Sequence, residues 1–435
     1  MQQKTEYGVV PDIGTFYEQG TFIPRKMVDY IMDNNDFAFD GINFYQFNGS
    51  YWEKVNLHQI RKQIIALFND KVRFCKVEEV LRLLLAETYV EPDGFNHNRN
   101  HIVLKNGTLD ISNWVRPMFH ENMFFKDDYA TIHLDCSYNP AASCPQFTGF
   151  LNSIFDGDNE RIAVIQELAG YLLTTSTKYH KAFMFYGGGA NGKSVLIDTL
   201  ISLIGKGNVT VLSITELEKQ FSRFSIKDKL MLVSSEFESK VMSSEHFKQV
   251  VAGDPINAAQ KFKDEFTFTP FAKIVFSTNT LPYIKDKSSA IRRRFITVPF
   301  ERQFSESEQD NELFDKLIAE LDGILLFALD GLNRLGTEDR FTHSQKCDAL
   351  LDELMGNGDV VQTFINECTN KANDAEMFVE SSLLYATYVD YCRENGYKAY
   401  NHSNFGRELK RLDVAKERKQ INGRLKNCYM GIRLK

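Results

Sequence analysis

The sequence contains no long uncharged apolar run. No stretch of its 435 residues reaches the roughly 18 apolar residues that a membrane-spanning helix needs, and residues 1–7 (MQQKTEY) lack the apolar core of a signal peptide. We therefore expect an intracellular protein rather than a membrane or secreted one.

Cysteine is scarce and scattered. The seven cysteines include no CxxC pair, which argues against a structural zinc site and a disulfide framework and predicts reduced thiols. Internal repeats and low-complexity segments are also absent. Because 43% of the residues are apolar and 25% are charged, the composition is that of a folded globular chain, and its length predicts roughly two to four domains.

Excess positive charge is missing from the chain as a whole, whose net charge is −7, and this taken alone argues weakly against nucleic-acid binding. The distribution of charge is more informative. Residues 401–435 carry ten Lys/Arg against three Asp/Glu. The C-terminal end is therefore either a solvated basic tail or a surface for an anionic partner.

Changes in hydrophobic period divide the chain into three predicted domains. Residues 1–144 read as α+β, with an aromatic hairpin at 37–52 around an Asn48-Gly49 turn. Residues 145–345 begin with a helical period and continue as strands alternating with helices, which predicts a parallel sheet in an α/β domain. Residues 346–435 read as helices followed by a basic hairpin. We also expect one long helix at 313–335 and a loop at 356–358.

A glycine-rich segment follows the short apolar run at 182–186. Residues 187–194 (GGGANGKS) match GxxxxGK[ST], and residues 195–204 have the period of an amphipathic helix. This strand, loop and helix order suits a backbone cradle for phosphates, in which Lys193 reaches the β- and γ-phosphates and Ser194 binds Mg²⁺. An ordinary glycine-rich turn is the alternative. The predicted nucleotide-binding residues are Gly187, Gly188, Gly189, Ala190, Asn191, Gly192, Lys193, Ser194 and Val195.

Polar side chains end the next two apolar strands. Glu236 follows the run at 229–235, where it could hold the water shell of a metal ion or orient an attacking water, with Glu238 as a second candidate. Asn279 ends the strand at 272–278 and could report the γ-phosphate. Each could instead be an ordinary strand-end or turn residue.

Three consecutive arginines follow at 292–294. A guanidinium delivered to the nucleotide of a neighbouring subunit would stabilise transition-state charge, whereas a solvated basic cluster is the competing interpretation.

These motifs occur in order and close together, and the chain resembles the superfamily-3 helicases of the AAA+ class, in particular the phage and plasmid primase-helicases related to the poxvirus primase-helicase. The resemblance covers roughly residues 100–435. It rests on residues 105–110 (KNGTLD), 145–175, 185–194 (FYGGGANGKS), 252–263 (AGDPINAAQKFK), 277–282 (STNTLP) and 293–300 (RRFITVPF).

The resemblance implies roles for these residues. Residues 187–194 become the Walker A loop, Glu236 the Walker B acid that holds Mg²⁺ with Ser194, and Asn279 the polar sensor. It also implies Arg293 as the finger, with Arg294 as the second choice. The segment 253–269 becomes a hairpin in the channel of a hexameric ring. Its tip, formed by Lys261, Phe262 and Lys263, would contact DNA, because a cation neutralises phosphate and an aromatic ring stacks on a base.

The basic C-terminal end has the pattern of a winged-helix domain. A helix at 401–412 precedes strands at 415–421 and 424–434, which are joined by an Asn422-Gly423 turn. The helix would enter a DNA groove while the hairpin neutralises phosphates. Of these basic residues, we expect DNA contacts from Arg407, Lys410, Arg411, Lys419 and Arg424.

Together these features predict an ATP- and Mg²⁺-dependent DNA helicase that forms a ring, acts in phage or mobile-element replication, and works in the cytoplasm of a bacterial host or phage-infected cell. A replication-origin binding initiator that uses ATP only to assemble and melt DNA is the alternative. A small-molecule kinase is a weaker one, since it leaves the basic C-terminal domain unexplained. Residues 1–144 show no convincing pair of strand-borne acids, so we expect any primer synthesis to need a separate primase.

Overall fold

The computed structural model describes residues 4–5, 8–9, 11–68, 73–91, 94–234, 245–261, 265–281, 288–357, 360–371, 377–395, 397, 399–421 and 423–435. The protein is multidomain and α+β, with a parallel central sheet. Among the described residues, no helix combines the length and apolar composition that crossing a bilayer requires.

The N-terminal part packs three helices around aromatic and aliphatic side chains such as Phe16, Ile60 and Leu81. The predicted hairpin at 37–52 is confirmed: Asn48 Oδ1 accepts hydrogen bonds from the backbone N–H groups of Ser50 and Tyr51, both at 3.0 Å, at the turn between the second and third strands of a meander. The elements are β1 (Lys4–Thr5), β2 (Gly8–Val9), β3 (Tyr17–Glu18), β4 (Thr21–Phe22), α1 (Pro24–Asn34), β5 (Phe37–Phe39), β6 (Phe44–Phe47), β7 (Trp52–Val55), α2 (Leu57–Phe68) and α3 (Phe74–Glu87).

A second antiparallel sheet consists of β8 (His101–Leu104), β9 (Gly107–Asp110) and β10 (Met118–Glu121). Its apolar face does not form a separate core. Leu104 and Leu109 are buried in the same cluster as Phe147, Leu168 and Ile324. The hydrophobic core therefore continues across the predicted boundary at residue 144.

The central sheet contains five parallel strands in the order β12-β13-β16-β11-β17. Parallel strands require crossovers, and the connecting helices cover the sheet, so β11, β13, β16 and β17 are almost fully buried, whereas the edge strand β12 is partly exposed. The elements of this region are β11 (Ala182–Tyr186), α6 (Lys193–Ile204), β12 (Val209–Val211), α7 (Gln220–Arg223), β13 (Met231–Ser234), α8 (Glu245–Ala252), β14 (Ile256–Ala258), β15 (Phe266–Phe268), β16 (Lys273–Thr278), α9 (Ser289–Arg292) and β17 (Phe295–Pro299). These follow α4 (Pro145–Phe155) and α5 (Asn159–Leu172).

The single long helix predicted at 313–335 is wrong. The chain forms α10 (Leu313–Ile318) and α11 (Leu321–Glu338), with a break at Ala319 and Glu320. The Glu320 carboxylate accepts hydrogen bonds from the backbone N–H groups of Gln146 and Phe147, both at 3.0 Å, at the start of α4. The break thus lets the Glu320 carboxylate accept hydrogen bonds from backbone N–H groups at the start of α4 that have no partner within their own helix.

The loop predicted at 356–358 is also wrong at Gly356 and Asn357, since α12 runs Gln345–Asn357. Leu351 and Leu354 of α12 are buried with Ile291 and Phe295, and this tertiary packing outweighs the low helix propensity of glycine. The Thr297 hydroxyl of β17 donates to the backbone carbonyl of Cys347, at 2.7 Å.

The C-terminal part has its own core, in which the rings of Tyr388 and Phe405 stack at 4.4 Å. The basic hairpin is confirmed, with β20 paired to β21 and Gly423 in the turn. The predicted strand at 424–434 is interrupted at Gly431, where φ is 70°, and its last part pairs with a short strand at 369–371. The elements are α13 (Val360–Cys368), β18 (Thr369–Lys371), β19 (Phe378–Glu380), α14 (Ser381–Glu394), α15 (His402–Arg411), β20 (Lys416–Ile421), β21 (Arg424–Met430) and β22 (Ile432–Leu434).

Candidate nucleotide-binding site

The segment 187–192 connects β11 to α6 at the carboxyl edge of the central sheet. The Lys193 side chain folds back over this loop. Its Nζ donates to the backbone carbonyls of Gly187, at 2.6 Å, and Gly188, at 3.0 Å, and to Asn191 Oδ1, at 3.1 Å. The residue is only 4% exposed. Because its three acceptors are neutral oxygens, burial is not offset by an opposite charge and lowers the pKa of Lys193.

Two glycines of the loop have no room for a side chain. A Cβ on Gly187 would lie 2.3 Å from the backbone oxygen of Phe300, and one on Gly192 would lie 2.7 Å from Ile154 Cγ2 of α4. Gly192 also has a φ of +83°, a left-handed conformation that glycine adopts without strain. The loop is therefore held closely between β17 and α4, and its backbone follows a path set by both.

A cavity of about 560 Å³ opens beside the loop. Its walls combine an apolar part, which includes Phe150 of α4, Phe304 and Leu313, with a polar part formed by the loop and the Ser194 hydroxyl. An apolar wall next to a buried ammonium at a helix N-terminus provides room for a flat ring and a cradle for an anion.

The ends of three strands meet at this edge. The Gly187 N–H donates to the backbone oxygen of Thr278, at 3.3 Å, so Asn279 follows β16 next to the start of the loop. Asn279 is exposed. The strand β13 pairs with β16 and ends at Ser234, while the predicted acids Glu236 and Glu238 lie outside the described residues.

The arginines lie at the opposite edge of the sheet. Ala182 and Tyr186 of β11 pair with Phe295 and Pro299 of β17, so the two strands run in register. Arg292, Arg293 and Arg294 precede β17, whereas the candidate loop follows β11. Five residues of strand separate the two edges by roughly 16 Å. The structure therefore does not bring Arg293 to Lys193 of the same chain.

The two predicted DNA-binding regions have the expected secondary structure. The segment that contains Lys261 lies between two paired strands, and the C-terminal region forms a helix followed by a hairpin. Lys261 is exposed between β14 and β15, which pair antiparallel, while Phe262 and Lys263 lie outside the described residues. In the C-terminal part, Arg407, Lys410 and Arg411 are exposed on α15, and the ammonium of Lys419 lies 4.8 Å from the ring centre of Phe378. The side-chain position of Arg424 lies outside the described parts.

The sequence did not single out two buried cations that shape this region. Arg161, 1% exposed, donates from Nη1 to the backbone oxygen of Pro299, at 2.8 Å, and from Nη2 to that of Phe155, at 3.0 Å, which ties α4 to the end of β17. Lys273, at the start of β16, donates to the Thr174 carbonyl, and its burial lowers its pKa well below the usual range. Only their burial distinguishes them from ordinary surface cations, and no local sequence signal indicates it.

Comparisons with known proteins agree with this arrangement. Residues 25–156 match the family described as D5 N terminal like, residues 185–294 match a family of unknown function, DUF5906, and residues 359–435 match the family described as RFX DNA-binding domain. The resemblance to the phage primase-helicase family is thereby confirmed. The match to a DNA-binding domain family supports DNA as a partner.

Among the solved structures that the chain resembles are apo forms of the NrS-1 C terminal region. One has a TM-score of 0.54 at 13% identity and another 0.52 at 12%, and in both comparisons 93% of this chain and 98% of the other are covered. A third has a TM-score of 0.53 at 13% identity, with 93% and 97% covered. At these identities the likeness shows the fold.

Proposed function

We propose that the protein is an ATP-dependent DNA helicase of phage or mobile-element replication that works as a hexameric ring. The observation that carries the proposal is the placement of the two charged groups. The buried Lys193 ammonium lies against the loop that precedes α6, at one edge of the parallel sheet, and the turn that contains Arg293 lies at the other edge. Each subunit thus offers one half of a nucleotide site at each edge, and head-to-tail contact completes it.

The cavity beside the loop is proposed to hold ATP. Its apolar wall takes the base, and the loop N–H groups and Lys193 take the phosphates, for which Lys193 exchanges its neutral oxygen partners. When bound, Mg²⁺ would neutralise part of the negative charge of the phosphates. The exposed Ser194 hydroxyl, which lines this cavity, suits the ion, since Mg²⁺ takes few protein ligands and keeps several waters. Glu236 is the proposed second ligand.

Two other groups receive proposed roles in hydrolysis. Asn279, next to the start of the loop, is proposed to sense the γ-phosphate. Arg293 is the proposed finger in the neighbouring site, and Arg294 is the second choice. Arg294 is half-buried and its Nη1 donates to the backbone oxygen of Ala290, at 2.7 Å, whereas Arg293 is exposed. Exposure favours Arg293, because a finger must reach another subunit.

The central channel and the C-terminal part are proposed to hold DNA. Hairpins that present Lys261, Phe262 and Lys263 would move one strand through the ring as ATP is hydrolysed. The C-terminal part is proposed to be a winged helix that places Arg407, Lys410, Arg411, Lys419 and Arg424 on duplex DNA.

Replacing both Arg407 and Lys410 by Ala should weaken DNA binding about tenfold or more near physiological salt. It should also lower the slope of log K against log salt by about two, because two phosphate contacts are lost. Both side chains are exposed, so the fold should be retained. Binding of labelled duplex across a salt series measures the effect.

The control for that pair is Arg393→Ala, which removes an arginine of α14 that is 75% exposed and paired with Asp390. If the double variant and this control have equal salt slopes, α15 is not a phosphate-binding surface.

An ATP-switched origin-binding initiator is the second candidate, favoured by the match of residues 359–435 to a DNA-binding domain family. Unwinding of forked DNA with a long duplex separates the two. The helicase proposal expects ATP-dependent release of duplexes much longer than the site that one ring covers, with Lys193→Ala as the inactive control. Opening restricted to short duplexes under single-turnover conditions would instead establish the initiator.

A further inference from the structure

A groove of about 1150 Å³ lies at the edge of the central sheet that is opposite the candidate loop. It is bounded by the start of β17, by α12 and by the segment that follows α11. Its lining contains six residues that can carry positive charge: Lys181, Arg292, Arg293, Arg334, Arg340 and His343.

Four of these six are engaged within the chain. Arg292 pairs with Asp352 and His343 with Asp348. Arg334 Nε lies 2.7 Å from a carboxylate oxygen of Glu167, which is fully buried, and Lys181 Nζ donates to the backbone oxygen of Arg293, at 2.7 Å.

The other two, Arg293 and Arg340, are exposed, and neither has a carboxylate within ion-pair distance among the described residues. Of the lining carboxylates, Asp339 pairs with Lys178, Asp352 with Arg292 and Asp348 with the His343 imidazole, whereas Glu338 has no ion-pair partner within the described part of the chain. The groove is thus lined by five lysines and arginines against four carboxylates, and two of its guanidiniums have no carboxylate partner in the ranges that the structure describes, which favours an anionic occupant.

We propose that Arg340 is a second cation that this groove delivers to a neighbouring subunit, where it contacts the phosphates of the nucleotide held by the loop of a second copy of this chain. This inference rests on the proposed function and names a residue that no motif of the sequence marks. Two guanidiniums fit the chemistry, because phosphoryl transfer spreads negative charge over several oxygens and each planar guanidinium can donate two parallel hydrogen bonds.

The position of the groove favours nucleotide over DNA as the occupant. Its lining includes Arg293, the proposed finger, and the start of β17, and it lies across the sheet from the loop. A repeated head-to-tail contact brings one edge of each subunit to the other edge of the next. An exposed lysine suited to DNA, Lys261, is instead on the separate β14–β15 hairpin. Single-stranded DNA in the groove is the competing outcome.

The test compares Arg340→Ala in the full chain with Arg116→Ala, a matched loss of an exposed arginine outside the groove. Three quantities are measured: ATP turnover without DNA, at a concentration where the wild type is assembled; the Kd of a fluorescent ATP analogue; and turnover after mixing with Lys193→Ala. Expected for Arg340→Ala are a fall in kcat on the order of a hundredfold, little change in Kd, and partial recovery on mixing. Arg116→Ala should match the wild type.

Recovery on mixing is the decisive result, because Lys193→Ala subunits supply an intact groove and Arg340→Ala subunits an intact loop. A DNA-free kcat equal to that of Arg116→Ala overturns the inference. So does a low kcat that mixing fails to recover while sizing shows normal assembly. Weaker binding of single-stranded DNA with unchanged DNA-free turnover assigns the groove to DNA and also overturns it.

If Arg340→Ala fails to assemble, Arg340→Lys replaces it, since it keeps the charge but loses the two-pronged donor. It should assemble and hydrolyse ATP at a rate between those of the wild type and the inactive Lys193→Ala variant. Hydrolysis at the full wild-type rate contradicts the proposal. Failure of the proposed function is recognised separately. In that case the wild type does not hydrolyse ATP, or Lys193→Ala hydrolyses it normally, whatever Arg340→Ala does.

Discussion

Lys193→Ala is expected to abolish ATP hydrolysis, with turnover at least about a thousandfold below wild type, and to weaken ATP binding about ten- to a hundredfold. The binding loss corresponds to the roughly 1.5–3 kcal/mol of one hydrogen bond to a charged group. The larger loss of turnover follows because the ammonium would meet the charge that develops on the transferred phosphoryl group.

The same substitution should leave the fold intact. The Lys193 ammonium is buried against three neutral oxygens, and this burial lowers its pKa, so the folded protein already holds it at an unfavourable site. Removing the ammonium loses its hydrogen bonds, but it also removes the free-energy cost of burying a charge away from water. Steady-state hydrolysis, calorimetric titration with ATP and a thermal melt give the three readouts.

Lys206→Ala is the matched control, because Lys206 is an exposed lysine just beyond the other end of α6. It should behave as wild type in all three measurements. Wild-type turnover by Lys193→Ala would remove the candidate loop from the catalytic site.

Arg293→Ala is expected to lower turnover about a thousandfold while leaving the Kd for ATP nearly unchanged. Arg293 lies roughly 16 Å from the edge where its own loop begins, so it cannot touch ATP bound to the same chain. A guanidinium that acts only in the transition state changes kcat and leaves ground-state binding alone.

Mixing two inactive variants distinguishes a site shared between subunits from a site formed within one subunit. In random rings made from equal amounts of Arg293→Ala and Lys193→Ala subunits, about a quarter of the contacts pair an intact loop with an intact arginine, so activity should reappear. A chain with both substitutions, mixed with Lys193→Ala, contains no intact loop and serves as the control. If the first mixture stays as inactive as this control, Arg293 is not shared between subunits.

The elements that the sequence predicted well depend on local signals. The strand at 182–186 matches β11 because a short apolar run between polar segments fits a buried strand, and the Asn48-Gly49 turn forms because both residues suit its backbone. The break at Glu320 could not be predicted in the same way. It depends on a carboxylate that reaches the start of α4, some 170 residues away in the chain.

The site was predicted in parts, and its geometry was not. The GxxxxGK[ST] motif indicated the loop and Lys193, the end of an apolar strand indicated Asn279, and a run of three arginines indicated Arg293. That Arg293 lies across the sheet from the loop follows from the parallel, in-register pairing of β11 with β17, and no residue pattern encodes that the two strands are neighbours. The engagement of Arg334 with buried Glu167 likewise depends on the packing of α5 against α11.

The continuous core between the β8–β10 sheet and the helices that follow it determines where the chain can be shortened. Leu104, Leu109 and Leu134 cover apolar side chains of α4, α5 and α11. A fragment that begins at residue 145 would leave those side chains facing water, which promotes aggregation. Truncations meant to isolate the candidate nucleotide-binding part should therefore keep the β8–β10 sheet ahead of α4, so that its covering leucines remain.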